Sequence, residues 1–160
     1  MLIPFDQLPD NARVWIYPSS REFTPDELVV IRQKTEGFLE QWTAHGTELQ
    51  TGLDLPYDRF IVLGLNESSQ SASGCSIDAS VRFIQFLEET FGVVLLDKTH
   101  VTFRNKNTIG HIPLIEFRTK AKKKQVYSDV IVFNNLVQNK SEYDTLWEVP
   151  AALSWHARYF

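Results

Sequence analysis

The most reactive side chains in this chain are one cysteine and four histidines, and the cysteine lies in a polar, glycine-bearing stretch. Ser71–Asp78 has the sequence Ser-Ala-Ser-Gly-Cys-Ser-Ile-Asp, between an apolar run typical of a strand and one typical of a helix. The start of a helix offers unpaired N–H donors and the positive end of the helix dipole. Such a position attracts small anions and stabilises a cysteine thiolate.

Two kinds of chemistry are therefore open for this stretch. In the first, the loop over residues 66–78 and the helix start bind a small anion or carboxylate, and the candidate ligand-binding residues are Ser73, Gly74, Cys75, Ser76 and Asp78. In the second, Cys75 is a nucleophile or redox sensor that needs a histidine as base. The candidate bases are His45 and His156, although the sequence places neither of them beside Cys75.

A free cysteine is also a common filler of tight, buried turns. Ile77 and Val81 follow Cys75 at core-facing positions, and no lysine or arginine occurs between Asn66 and Val81. We therefore expect a largely buried, slowly reacting thiol. This expectation favours the binding module over the cysteine enzyme.

Motifs for metals and nucleotides do not occur in the chain. There is no Cys-x-x-Cys, no His-Glu-x-x-His and no glycine-rich phosphate loop, although Asp97 and His100 are three residues apart. The remaining histidine, His111, is distant in sequence from Cys75. We expect no metal and no cofactor.

Several segments resemble a family of short bacterial proteins that are often labelled ABC transporter ATPases. They are the runs Ala44-His45-Gly46, Ala72–Asp78, Phe133–Val137 and Ser154-Trp155-His156. The resemblance covers nearly the whole chain, and its label implies ATP hydrolysis. A phosphate loop, a Walker B acid and an ABC signature are missing, so the residues themselves predict no ATPase activity.

The clearest secondary-structure prediction is a helix that begins after Thr24. Thr24-Pro25-Asp26-Glu27 is a capping box with proline at the first helical position. An apolar stripe continues this helix, and Gly46 is expected to end it. A second helix is predicted over residues 77–91, with Ser76 as its N-cap and Gly92 as its end.

Strands are predicted at residues 13–17, 48–53, 59–65, 93–96, 100–103 and 130–133. Through residue 104 the order reads strand, helix, strand, strand, helix, strand, which is that of a ferredoxin-like sandwich, with 93–96 and 100–103 as candidates for its last strand. A third helix is predicted from Pro113 to about Lys124, and a short C-terminal helix from Pro150. The expected fold is α+β, a mostly antiparallel sheet with helices on one face and a C-terminal extension.

Composition sets the broad class. The 160 residues suit one domain, 1–160, and a hydrophobic fraction of 43% argues against disorder. A net charge of −4 argues against a nucleic-acid surface. No segment is typical of a signal peptide or a membrane span, so we expect a cytoplasmic protein that binds a small ligand or a protein partner. The aromatic-rich C-terminus allows a third interpretation, a structural part of a homo-oligomer.

Overall fold

The computed structural model describes residues 1–160, which form two compact units. The first unit comprises Met1–Leu96 and Gln138–Ser141, and the second comprises Asp97–Val137 and Glu142–Phe160. Each unit has its own cluster of buried apolar side chains. Helices and antiparallel sheets occur together, which confirms the predicted α+β class. The single domain expected from the chain length stays a prediction.

The first unit is built on a three-stranded antiparallel sheet and two long helices. The sheet has the order β1-β5-β4. The elements in chain order are β1 (Arg13–Pro18), α1 (Pro25–Gln41), β2 (Thr43–Ala44), β3 (Thr47–Glu48), β4 (Gln50–Asp54), β5 (Phe60–Asn66) and α2 (Gly74–Phe91).

Alternation along β5 separates the two faces of this sheet. Ile61, Leu63 and Leu65 are fully buried in the cluster that contains the apolar stripes of both helices. On the opposite face, Gly64 lies against the N-terminal segment, so close to Leu8 that a Cβ there would come within 2.5 Å of its Cδ1 atom. Both long helices therefore pack on one face, as predicted, and residues from the N-terminal segment cover the other.

The capping box of α1 is present as predicted. The Thr24 hydroxyl accepts a hydrogen bond from the Glu27 N–H group at 3.2 Å, and the Glu27 carboxylate accepts one from the Thr24 N–H group at 2.9 Å. Arg21 donates two further hydrogen bonds to the same carboxylate, and these lower the pKa of Glu27 to about 2. The start of α1 is therefore held by both local and charged contacts.

The predicted end of α1 at Gly46 is wrong. The helix ends at Gln41, and Trp42 caps it in an extended conformation. His45 and Gly46 instead form the two-residue turn between β2 and β3, with φ values of 52° and 76°. Two consecutive positive φ angles are what a tight hairpin turn requires, and glycine adopts the second without strain.

The fourth strand of the ferredoxin-like order does not join this sheet. Residues 93–96, predicted as a strand, make no ladder, because the Val93 N–H group bonds to the Glu88 carbonyl oxygen and the N–H groups of residues 94–96 bond to side chains. The Glu88 carboxylate accepts from Leu95 at 2.7 Å and from Leu96 at 3.0 Å. The edge position beside β1 is taken by Asn139, which bridges Arg13.

The second unit contains a four-stranded antiparallel sheet with the order β7-β6-β8-β9. Its elements are β6 (His100–Asn105), β7 (Thr108–Pro113), α3 (Leu114–Lys122), β8 (Ile131–Phe133), α4 (Lys140–Leu146) and β9 (Glu148–Pro150); the boundary between the units falls within α4. The predicted strands at 100–103 and 130–133 and the helix after Pro113 are confirmed to within a few residues. The expected C-terminal helix is two short 3₁₀ turns, Ala151–Leu153 and Trp155–Tyr159.

Candidate functional site

The start of α2 differs from the prediction by one turn. Ser73, not Ser76, is the N-cap, and the two serines form a reciprocal box. The Ser73 hydroxyl accepts from the Ser76 N–H group at 3.1 Å, and the Ser76 hydroxyl accepts from the Ser73 N–H group at 2.7 Å. Two satisfied donors favour this start over one at Ser76. Both serine side chains are therefore engaged in holding the helix.

Two backbone donors remain unpaired in this first turn. The N–H groups of Gly74 and Cys75 make no hydrogen bond, and both residues are exposed. They lie at the positive end of an 18-residue helix. An anion placed here would receive two N–H donors and the favourable helix dipole.

Cys75 is exposed on the second residue of α2, so the expectation of a largely buried thiol is wrong. Because the helix begins at Gly74, its first buried residue is Ser76, one position after Cys75, and Ser76 is only 3% exposed. The thiol makes no hydrogen bond. Asp78 is likewise exposed, within the second turn of the helix.

The preceding loop is braced by its own side chains. The Glu67 carboxylate accepts a hydrogen bond from the Ala72 N–H group at 3.0 Å. The Asn66 side-chain oxygen accepts from both the N–H and the hydroxyl of Ser68, at 3.0 and 2.6 Å. Glu67 therefore acts in this structure as a loop-forming residue.

The end of α1 contacts the start of α2. The Trp42 indole N–H donates to the Ser76 carbonyl oxygen at 2.8 Å, and Trp42 is only 3% exposed. This contact brings the segment before His45 towards the turn that carries Cys75. His45 itself is exposed in the β2–β3 turn, and no hydrogen bond joins it to Cys75.

His156, the second candidate base, belongs to the other unit. It is 1% exposed, and burial lowers its pKa to about 4. Its Nδ1 atom pairs with the Ser154 hydroxyl, and its Nε2 atom has no partner. His156 is therefore a neutral, buried ring that stacks on Trp155.

A second cluster of polar side chains lies on β6 and β7, and the sequence analysis missed it. His100 and His111 stack with ring centroids 4.8 Å apart and planes 11° from parallel. Asp97 contacts His100, and Thr102 contacts His111. The pairing of His100 with Pro113 and of Thr102 with His111 puts these side chains on one face. Locating the β6–β7 turn would have revealed that register.

The comparisons with known proteins found no match for this chain among protein-family models, curated proteins or solved structures. The resemblance to short bacterial proteins therefore stays a prediction from the sequence. No group of three or more His, Cys, Asp or Glu side chains is arranged to hold a metal ion. None of the helices combines the length and the apolar character that crossing a membrane requires.

Proposed function

We propose that this protein is a small binding module that takes an anionic group, a carboxylate or an oxyanion, at the first turn of α2. The observation that carries the proposal is the pair of exposed, unpaired N–H groups at Gly74 and Cys75. The Ser73–Ser76 box supports it, because the box holds the turn in shape without using these two donors. No cofactor is needed for such binding.

The expected affinity is low. The nearest charged side chains in the sequence are acidic, Glu67 and Asp78, and no lysine or arginine occurs between Asn66 and Val81. Binding then depends on backbone donors and the helix dipole, which are screened by salt. A ligand with a further part that contacts the neighbouring surface would bind more tightly than a bare ion.

Titration of the labelled protein with sodium sulfate, followed by amide NMR, tests the proposal. We expect saturable shifts of the Gly74 and Cys75 amide signals at constant ionic strength. Sodium chloride at matched ionic strength is the control. Shifts that are equal in both salts, or that are absent from this turn, contradict the proposal.

The second candidate is a thiol-dependent enzyme or redox sensor, and the exposure of Cys75 favours it. A hydroperoxide would oxidise the thiolate sulfur to a sulfenic acid while its O–O bond breaks and releases an alcohol or water. Cys75→Ser separates the two candidates, because it abolishes oxidation but keeps both N–H donors. Retained sulfate shifts in this variant support the binding module.

Location and partners belong to the same proposal. A single, exposed thiol suits a reducing compartment, and we therefore place the protein in the cytoplasm. A small anionic ligand is the proposed partner. Self-association through the aromatic-rich C-terminus stays a prediction, which sedimentation of the purified chain would test.

A further inference from the structure

The two units carry net charges of opposite sign. The first unit has seven Lys and Arg side chains and fourteen Asp and Glu, a net charge of −7, whereas the second has nine and six, a net charge of +3. The whole-chain value of −4 is therefore the sum of an acidic unit and a basic one. A charge asymmetry of this kind indicates that the basic part contacts an anionic partner.

The positive charge of the second unit is concentrated at the end of α3. Lys122 is the last residue of this helix, and Lys123 and Lys124 follow it. All three are exposed, and their side chains make no hydrogen bond or ion pair. The acid nearest to them in sequence, Asp129, is exposed and pairs with none of them. The three ammonium groups are therefore available to an external anion.

The end of the helix does not by itself explain Lys124. A cation in the last turn is favoured by the helix dipole, which accounts for Lys122. Lys124 instead has a φ of 56°, in the left-handed region that glycine and asparagine adopt more readily. A lysine at this position makes the turn less stable than asparagine would, which indicates a role for its charge other than holding the turn.

Two apolar side chains protrude beside these lysines. Tyr127 lies three residues after Lys124 and is 61% exposed, and Leu153 is 69% exposed. The Ala152 N–H group donates to the Ser128 carbonyl oxygen at 2.9 Å, and these two residues are the sequence neighbours of the apolar pair. The two turns therefore lie side by side. We call the following residues the basic tip: Lys122, Lys123, Lys124, Tyr127 and Leu153.

A partner of the basic tip must offer negative charge together with an apolar phase. A nucleic acid offers the charge and a base to stack on Tyr127, but nothing that receives Leu153. A peptide needs a groove for its side chains, whereas these two side chains are more than half exposed and protrude. A bilayer receives protruding apolar side chains at the level of its head groups, and anionic lipids attract the lysines. We propose that the basic tip docks the second unit on an anionic lipid surface, independently of the anion site at α2.

Co-sedimentation with vesicles tests the proposal. Vesicles of phosphatidylserine and phosphatidylcholine in equal parts should bind the protein, and vesicles of phosphatidylcholine alone should not. Each lysine near an anionic surface strengthens binding about fivefold, so Lys122→Gln with Lys123→Gln should weaken it at least about tenfold. Lys98→Gln with Lys106→Gln removes two exposed charges elsewhere in the same unit and should weaken it less than about threefold. Equal losses in the two pairs, or a wild-type protein that binds neither vesicle, overturn the proposal.

A second matched pair tests the apolar contact. Leu153→Ser should weaken vesicle binding about tenfold, because the side chain no longer enters the head-group layer. Leu136→Ser changes a leucine of similar exposure, 61%, at the opposite end of β8 and should leave binding unchanged. Equal binding by the two variants shows that the lipid surface is the wrong partner. Binding to a single-stranded oligonucleotide without binding to vesicles shows the same.

Lys124→Asn separates a docking role from a structural one. Asparagine suits a φ of 56° better than lysine does, so the urea midpoint should rise while vesicle binding falls about fivefold. A lower midpoint with unchanged vesicle binding would show that Lys124 serves only the end of α3, which contradicts the proposal. The sulfate shifts of Gly74 and Cys75 should be the same in all these variants, so the two proposals fail independently.

Discussion

At the scale of single residues, the identity of the N-cap of α2, Ser73 or Ser76, determines where Cys75 lies relative to the helix. A start at Ser76 would have left Cys75 in the turn before the helix, whereas the box of Ser73 and Ser76 puts it on the second helical residue. The sequence contains both serines, and each is a good N-cap by itself. What distinguishes them is reciprocity, since only Ser73 has a hydroxyl partner three residues ahead.

We predict that native Cys75 reacts readily with iodoacetamide. The thiol is exposed and makes no hydrogen bond, so folding places little steric barrier before it. Mass spectrometry should give a rate within about tenfold of that in urea at the same pH. Cys75→Ser should take up no label. A native rate that is lower by several orders of magnitude would show that the thiol is buried after all.

We predict that His156 makes the protein less stable in acid. Burial lowers its pKa from 6.5 to about 4, so the unfolded chain binds this proton more tightly than the folded one. The free energy of unfolding should therefore fall between pH 6.5 and pH 4, by about 3 kcal/mol from this group. Urea melts of His156→Phe should show a smaller loss over the same range.

An NMR titration of the His156 ring is a second test of this prediction. If the His156 signals titrate near pH 6.5 in the folded protein, the ring is accessible to water and no such loss is expected.

At the scale of elements, the surroundings of two glycines predict that replacement by alanine has opposite effects on the stability of the protein. Gly37 lies within α1, and a Cβ there meets no atom within 4 Å. Gly37→Ala should stabilise the protein by about 0.5–1 kcal/mol, because alanine favours the helix. Gly64 lies in β5, where a Cβ would come within 2.5 Å of the buried Leu8 side chain. Gly64→Ala should destabilise by about 1–3 kcal/mol.

Denaturant melts of Gly37→Ala and Gly64→Ala measure both predicted changes in the free energy of unfolding. A destabilising Gly37→Ala would mean that α1 does not continue through this position. A neutral Gly64→Ala would mean that the N-terminal segment does not cover this face of the sheet.

Substitutions at the two ends of α1 are predicted to differ in how much they lower the free energy of unfolding. Thr24→Ala removes one capping bond and should cost about 1 kcal/mol. Trp42→Ala empties a buried site, removes the bond to Ser76 and should cost about 3–5 kcal/mol. Urea melts that give the reverse order would show that Trp42 contributes little to the core.

Local sequence patterns were enough for some elements and not for others. The start of α1 was predictable because Thr24 and Glu27 act within one turn. The end of α1 was not, since the hydrogen bond from Trp42 to Ser76 joins residues that are 34 apart. The β6–β7 hairpin was missed for a different, local reason, because its turn contains Lys106 at positive φ and no glycine.

At the scale of the whole molecule, the chain divides into two units with separate cores, and each candidate site belongs to one of them. Composition predicts enough apolar residues for a core but does not predict two separate cores, because the strand predicted at residues 100–103 pairs within the second unit. The histidine cluster depends on that pairing, so it could not be predicted from the order of elements.

We predict that the chain neither hydrolyses ATP nor binds it tightly with Mg²⁺. It has no glycine-rich phosphate loop with lysine, and the start of α2 has no nearby cation in the sequence. Phosphate release should not exceed that of heat-denatured protein. Micromolar ATP binding by calorimetry, lost when Mg²⁺ is chelated, would contradict this prediction.

We predict that the unpaired N–H groups in the first turn of α2 bind the anion, and substitution of Gly74 tests this binding directly. Proline is tolerated at the first helical position, Ser73 already has the extended conformation that precedes proline, and a side chain at position 74 meets open space. Gly74→Pro therefore deletes one N–H donor, whereas Gly74→Ala keeps it. By NMR titration we expect sulfate affinity to fall about three- to tenfold in Gly74→Pro and to be unchanged in Gly74→Ala. Equal affinity in the two variants would contradict the claim.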